Sequence, residues 1–196
     1  MPITFSALNN QFRYRPANSG AALRTKVFPE AASCDFRYGE AVILSSSGGV
    51  DSVIQLATAP AAGAVSSSVA DGQLLLGWAL ADSTGVTGNP IPVLLAKDVE
   101  VLVRVYAASG ANAELRDVSP GDHCELFRYK GTDVATNIFT VCSAAANATA
   151  GINMCKVVAY YSPDYSSTND ALVGDQVVSD TYGLVWIAAR DSQVVN

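Results

Sequence analysis

Ser47-Gly48-Gly49-Val50-Asp51-Ser52 has the spacing most suggestive of chemistry in this 196-residue chain. Small residues let a backbone turn tightly, so that successive N–H groups converge on an anion. A strand that delivers such a turn to a helix N-terminus cradles pyrophosphate, with the helix dipole assisting. Ala41–Leu44 offers the strand, but the following helix is poorly supported. Val53-Ile54-Gln55-Leu56-Ala57 makes no good helical face, and Pro60 stops it within about two turns. No lysine or arginine lies between Arg37 and Lys97 to balance a triphosphate. The stretch therefore reads as a β-hairpin: strand Ala41–Leu44, turn Ser45–Gly49, strand Val50–Leu56.

The hexapeptide resembles the SGGxDS loop of the PP-loop ATP pyrophosphatases, which would imply a nucleotide-activating enzyme working through Ser47–Ser52. The surroundings oppose it, since no βαβ alternation follows. Other chemistry is thinner still. Ser47 or Ser52 as nucleophile needs a base, and His123 is the only histidine. His123 and Cys124 are neighbours on a strand and point to opposite faces, so they do not share a metal. Cys34, Cys124, Cys142 and Cys155 form no C-x-x-C, and the last three lie in apolar runs as small core residues. Glu40, Asp51 and Glu100 are carboxylates that nothing in the sequence brings together as a glycosidase pair. Asp164, Asp170, Asp175 and Asp180 are too widely spaced for a calcium loop and read as solvated. Asn147-Ala148-Thr149 fits a glycosylation acceptor without an export signal to support its use. The expectation is a chain with no catalytic residue, no cofactor and no metal.

Composition points towards protein contact. Charged residues make up 15% of the chain, against roughly 25% in ordinary soluble domains. Such a surface is cheap to desolvate. The net charge of −6 argues against a nucleic-acid partner. Residues 1–37 carry five basic groups against two acidic ones, while the remainder carries seven against sixteen. The N-terminus lacks the pattern of a signal peptide, and no apolar run reaches the roughly 20 residues needed to span a bilayer. A protein made in the cytoplasm with no membrane partner is expected.

Residues 1–33 show no clean period and read as an extended N-terminal arm, with 34–196 as a single β-rich domain. After the arm come short apolar runs: Ala41–Leu44, Val53–Ala57, Gln73–Ala81, Pro92–Ala96, Val99–Tyr106, Cys124–Tyr129, Ile138–Cys142, Met154–Tyr161 and Leu184–Ala189. Turn-forming clusters separate them, which predicts a compact antiparallel β-barrel or β-sandwich with long loops. The clearest strand is Val99–Tyr106, with Val99, Val101, Val103 and Val105 on a core face. Tyr129–Asp133 reads as a hairpin connection. Ala144–Ala150 offers at most one turn of helix. Trp78 and Trp186 read as core or interface aromatics.

Phe36-Arg37-Tyr38-Gly39-Glu40, then Ser45–Gly49, Val53–Leu56 and Leu76-Gly77-Trp78-Ala79, form an ordered series. With Thr84–Ala107 it resembles the capsid decoration, or cement, proteins of tailed bacteriophages. The likeness runs over roughly Val27–Ala108. It departs at the long N-terminal segment and at Leu184–Arg190. The resemblance implies a virion protein on the outer capsid surface that stabilises the shell. Its implied partners are the major capsid protein and further copies of itself, with a trimer among the states considered. Within the arm, Phe12 and Tyr14 are expected as anchors, and Arg13, Arg15, Arg24 and Lys26 as the cationic contacts. Other phage structural roles, in the tail, fibre base or head completion, are the alternative.

Overall fold

The computed structural model describes residues 12–47, 50–61, 65–66, 74–106, 118–130, 138–143, 154–161 and 183–190. Among these residues there is no helix. The strands are β1 (Tyr14–Pro16), β2 (Thr25–Pro29), β3 (Ala41–Ser47), β4 (Val50–Gln55), β5 (Val65–Ser66), β6 (Leu75–Ala79) and β7 (Pro90–Leu95). They continue as β8 (Val99–Tyr106), β9 (His123–Cys124), β10 (Leu126–Lys130), β11 (Ile138–Ser143), β12 (Cys155–Tyr160) and β13 (Leu184–Ala189).

These strands make two sheets, so the mainly β expectation holds. The larger sheet runs β5-β10-β11-β8-β13-β12-β9, with β1 also paired to β8. Only Glu125 separates β9 from β10, so one length of chain pairs with β12 at its start and with β11 at its end. The sheet curls round on itself as a result. The smaller sheet runs β2-β7-β6-β3-β4. Its two edge strands also meet, through a parallel bridge between Glu30 and Val53. Pairing is antiparallel almost throughout, but β8 and β11 run parallel over Arg104–Tyr106. β11 returns from β10 as its hairpin partner and then lies beside β8, with which it shares no hairpin.

Val99, Val101, Val103 and Val105 are buried as the alternation predicts. With Cys124, Leu126, Cys142, Met154, Cys155, Val157, Val185 and Ile187 they form the lining of the curled sheet, continued by Ile43, Leu75, Trp78 and Leu94 of the smaller one. Phe28, Phe36, Val42, Val53, Leu76, Ile91 and Val93 make a second core inside the smaller sheet. Strand β6 is buried along its whole length because it serves both. A Cβ on Gly77 would stand 2.0 Å from the Leu94 carbonyl oxygen, so β6 and β7 approach as they do only because this residue is glycine.

The hairpin read at Ala41–Leu56 is present, but its first strand is longer than read: Ser45–Ser47, expected in the turn, belong to β3. β3 and β4 pair antiparallel from Val42↔Gln55 to Ser47↔Val50. β10 and β11 pair from Leu126↔Cys142 to Lys130↔Ile138, while the connection between them lies outside the described residues. So do Ala144–Ala150, Asn147-Ala148-Thr149, Asp164, Asp170, Asp175 and Asp180.

The arm needs a correction from residue 12 onward. β1 pairs with β8 through Tyr14↔Val101, Arg15↔Glu100 and Pro16↔Val99. β2 pairs with β7 from Thr25↔Leu94 to Pro29↔Pro90. The chain is extended there, as read, but it completes sheets of its own body. Residues 1–11 lie outside the described residues.

Candidate interaction surface

Phe12 starts the surface. Its ring lies 5.3 Å from that of Tyr14 and 5.5 Å from that of Tyr38, the latter edge-on. Gly39 has φ of +83°, and a Cβ there would come within 2.7 Å of the Phe12 side chain. Glycine at 39 thus both permits the turn after Tyr38 and makes room for Phe12. Tyr14 is 41% exposed and Tyr38 47% exposed, while Phe12 is half-buried beneath them. The Tyr38 backbone is pinned by its N–H, which donates to Asp82 Oδ1 at 2.7 Å. Two tyrosine rings with restricted backbones make an anchor of low ordering cost.

The arginines expected as cationic contacts, Arg13, Arg15 and Arg24, are engaged inside the chain, as is Arg37. Arg15 Nε donates to Glu100 Oε2 at 2.6 Å, and its guanidinium stands 4.2 Å from the Trp186 ring centroid. Arg13 Nη1 donates to the Tyr161 hydroxyl at 2.6 Å. Arg24 lies 3.6 Å from Asp98, and Arg37 3.6 Å from Asp82. Lys26 Nζ sits 5.1 Å from the Phe28 ring. Arg13, Arg15 and Arg24, which charge-counting assigned to a partner, therefore brace β1 and the residues after it against the rest of this chain, while Lys26 stays exposed. The Arg24–Asp98 and Arg37–Asp82 pairs are exposed on both sides and contribute about 0–1 kcal/mol each, whereas Glu100 is buried beneath Arg15. Their effect is to hold the aromatic patch in place.

Beneath the patch lies a buried ionic clamp that sequence reasoning missed. Arg128, on β10, is fully buried, as is Glu40 just before β3. Arg128 Nε and Nη2 donate to the two Glu40 oxygens at 3.0 and 3.1 Å. Nη1 donates to Asp35 Oδ1 at 2.8 Å and to the Ala57 carbonyl at 2.6 Å. Nη2 also reaches the Asp35 carbonyl at 3.2 Å. All five guanidinium N–H groups are used. Burial pushes the Glu40 carboxyl above its ordinary range, against the pull of Arg128. The Arg37 backbone N–H donates to the same carboxylate at 2.7 Å. The clamp fixes the turn that presents Tyr38 and ties the larger sheet to the smaller one. The signal available beforehand was the run Leu126-Phe127-Arg128-Tyr129, a lone arginine inside an apolar strand.

A second buried carboxylate, Glu30, organises the loop between β6 and β7. It accepts from the Thr84 hydroxyl at 2.8 Å and the Gly85 N–H at 2.7 Å, among others. Glu40, Asp51 and Glu100 are dispersed: Glu40 serves Arg128, Glu100 serves Arg15, and Asp51 lies exposed on β4. Cys124, Cys142 and Cys155 are core residues, as read. Its hydrogen bond with Cys142, and then burial, holds the Cys124 thiol well above its ordinary value; burial does the same for Cys155. Both stay protonated and unreactive at neutral pH. His123 is half-buried while Cys124 is fully buried, in keeping with opposite faces.

The residues after the Ser/Gly turn form strand β4, where a pyrophosphate cradle requires a helix N-terminus. Isothermal titration with Mg-ATP should therefore give no binding at physiological concentrations. A micromolar dissociation constant lost in Asp51→Ala would overturn that expectation.

No protein-family model matches the chain, and neither the curated proteins nor the solved structures contain a match.

Proposed function

We propose that this protein is a structural component of a tailed-phage virion that decorates the outer capsid surface and stabilises the major capsid protein shell. The observation that carries the reading is where the resembling segments lie. Phe36–Glu40, β3, β4, β6 and β7 are contiguous in space, and together they build the small curled sheet and the turn that presents Tyr38. That sheet is a charge-poor β body whose buried charges are bonded within the chain, which suits static protein contact. The Phe12–Tyr14–Tyr38 patch is the surface best suited to the shell, because exposed aromatics on a fixed backbone supply the larger share of interface energy. Attachment in many copies would add avidity.

The test is sedimentation of purified capsid shells lacking the protein, mixed with the full chain. The full chain should co-sediment and raise the temperature at which shells disassemble. Tyr14→Ser combined with Tyr38→Ser should keep its thermal unfolding and lose at least about tenfold in shell affinity, since each truncated anchor is worth over about 1 kcal/mol. A full chain that stays in the supernatant at saturating shell concentration would refute the decoration reading.

A further inference from the structure

Strand β2 ends its sheet, and its backbone is only half used. The Leu95 N–H donates to the Arg24 carbonyl at 2.9 Å, and the Glu30 N–H donates to the Asn89 carbonyl at 2.8 Å. Antiparallel ladders alternate, so residues 24, 26, 28 and 30 aim their backbone groups at β7. Thr25, Val27 and Pro29 then aim theirs away. Ala31, next in that series, confirms the direction: its N–H donates to the Val53 carbonyl of β4 at 3.0 Å. That bond seals one end of β2. Upstream of it, among the described residues, no strand lies beside Thr25 and Val27. The open stretch offers the N–H and carbonyl groups of Thr25 and Val27, since the Glu30–Val53 bridge to β4 occupies the Pro29 end; it matches a short extended segment of about three to five residues.

The side chains say which segment fits. Thr25 and Val27 share a face and are exposed, Val27 at 60%. Lys26 stands on the opposite face, also exposed. A second β2 is a poor partner. Antiparallel pairing centred on Lys26 sets Lys26 against Lys26, and pairing centred on Thr25 sets Lys26 against Arg24; pairing centred on Val27 sets Thr25 against Pro29, which has no N–H and lies at the end bridged to β4. Like charges directly opposite are destabilising, and an edge lysine is a common guard against self-pairing. A foreign strand with a carboxylate at its central position reverses that sign.

We infer that the outer edge of β2 is a strand-addition site for an extended acidic segment of a partner polypeptide, held by the backbone of Thr25 and Val27 and selected by Lys26. The site stands whether or not the partner is a capsid shell.

Two capped synthetic nonapeptides alternating Val and Thr, identical except for Glu or Lys at the centre, test it. Each is titrated into isotopically labelled full-length protein and followed by amide NMR and hydrogen exchange. The acidic peptide should shift residues 23–29 and slow exchange at Thr25 and Val27. The lysine peptide should bind at least about tenfold more weakly. Val27→Pro removes an N–H that β7 does not use, so it should abolish peptide binding with thermal unfolding unchanged. Lys26→Thr, which leaves the backbone intact, should bind both peptides equally and self-associate in sedimentation velocity. The inference fails if neither peptide binds at about 1 mM, if the two bind equally to the natural sequence, or if the shifts lie away from β2.

Discussion

Arg128→Met should lose about 3–5 kcal/mol of folding stability, the cost of leaving a buried charge without its partner. The change removes five donors at once. Glu40, fully buried, would keep only the Arg37 N–H among the bonds that its carboxylate makes. The loss is a large part of the whole stability of a domain this size, which is typically about 5–15 kcal/mol. It should also depend on pH in a definite direction. The Glu40 carboxyl is already raised in the folded protein by burial. Without Arg128 it rises further, because the group that pulled it down has gone. A carboxyl raised on folding contributes stability that is present below its unfolded value and lost as pH rises through its folded value. The variant should therefore be least stable at neutral pH and recover part of its deficit on acidification. Denaturant unfolding at neutral and mildly acidic pH measures both. Arg128→Met with Glu40→Leu should recover stability at neutral pH, since removing both charges avoids the orphan. A single variant as stable as the natural sequence at neutral pH would show that the clamp carries no energy.

Val103→Asp should fail to fold, at a cost of at least about 4 kcal/mol. Val103 lies at the middle of β8, directly opposite Val185 on β13. It is 5% exposed and packed into the larger core. A carboxylate there would sit among the apolar core residues, and Arg104, the cation of β8, points the other way along the alternation. Val86→Asp is the matched control: Val86 is exposed in the loop before β7, and the change should stay within about 0.5 kcal/mol. The comparison uses soluble yield and thermal unfolding. If Val103→Asp melts like the control, the register of β8 is wrong.

A decoration protein of this build would owe its attachment to shape and apolar anchors more than to net charge. The five basic groups of residues 1–37 look like an electrostatic handle when counted along the chain. In space, Arg15, Arg24 and Arg37 each meet a carboxylate of the same chain. Only about a Debye length of unscreened field, ~8–10 Å at physiological salt, would extend from what remains. Lys26 is the instructive exception, because its value lies in where it stands on an edge strand.

Periodicity alone determined the β class, the strand at Val99–Tyr106, the pairing of the two strands within Ala41–Leu56 (though not the bounds of the turn between them) and the core placement of Cys124, Cys142 and Cys155. Each depends on local alternation or on a short turn, which neighbouring residues set by themselves. The sequence also contained the argument against a pyrophosphate cradle, since Pro60 and the pattern of Val53–Ala57 leave no room for the helix. Only the tertiary structure decided the rest. β1 and β2 lack a clean period because each is held by a partner strand far away in the chain, Tyr14 by Val101 and Thr25 by Leu94. Their order comes from distant backbone pairing, which leaves no local trace. The clamp was hidden for the same reason: Arg128 lies 88 residues from Glu40 and 93 from Asp35. A buried guanidinium is stable only when five separate acceptors converge on it, and folding alone brings them together.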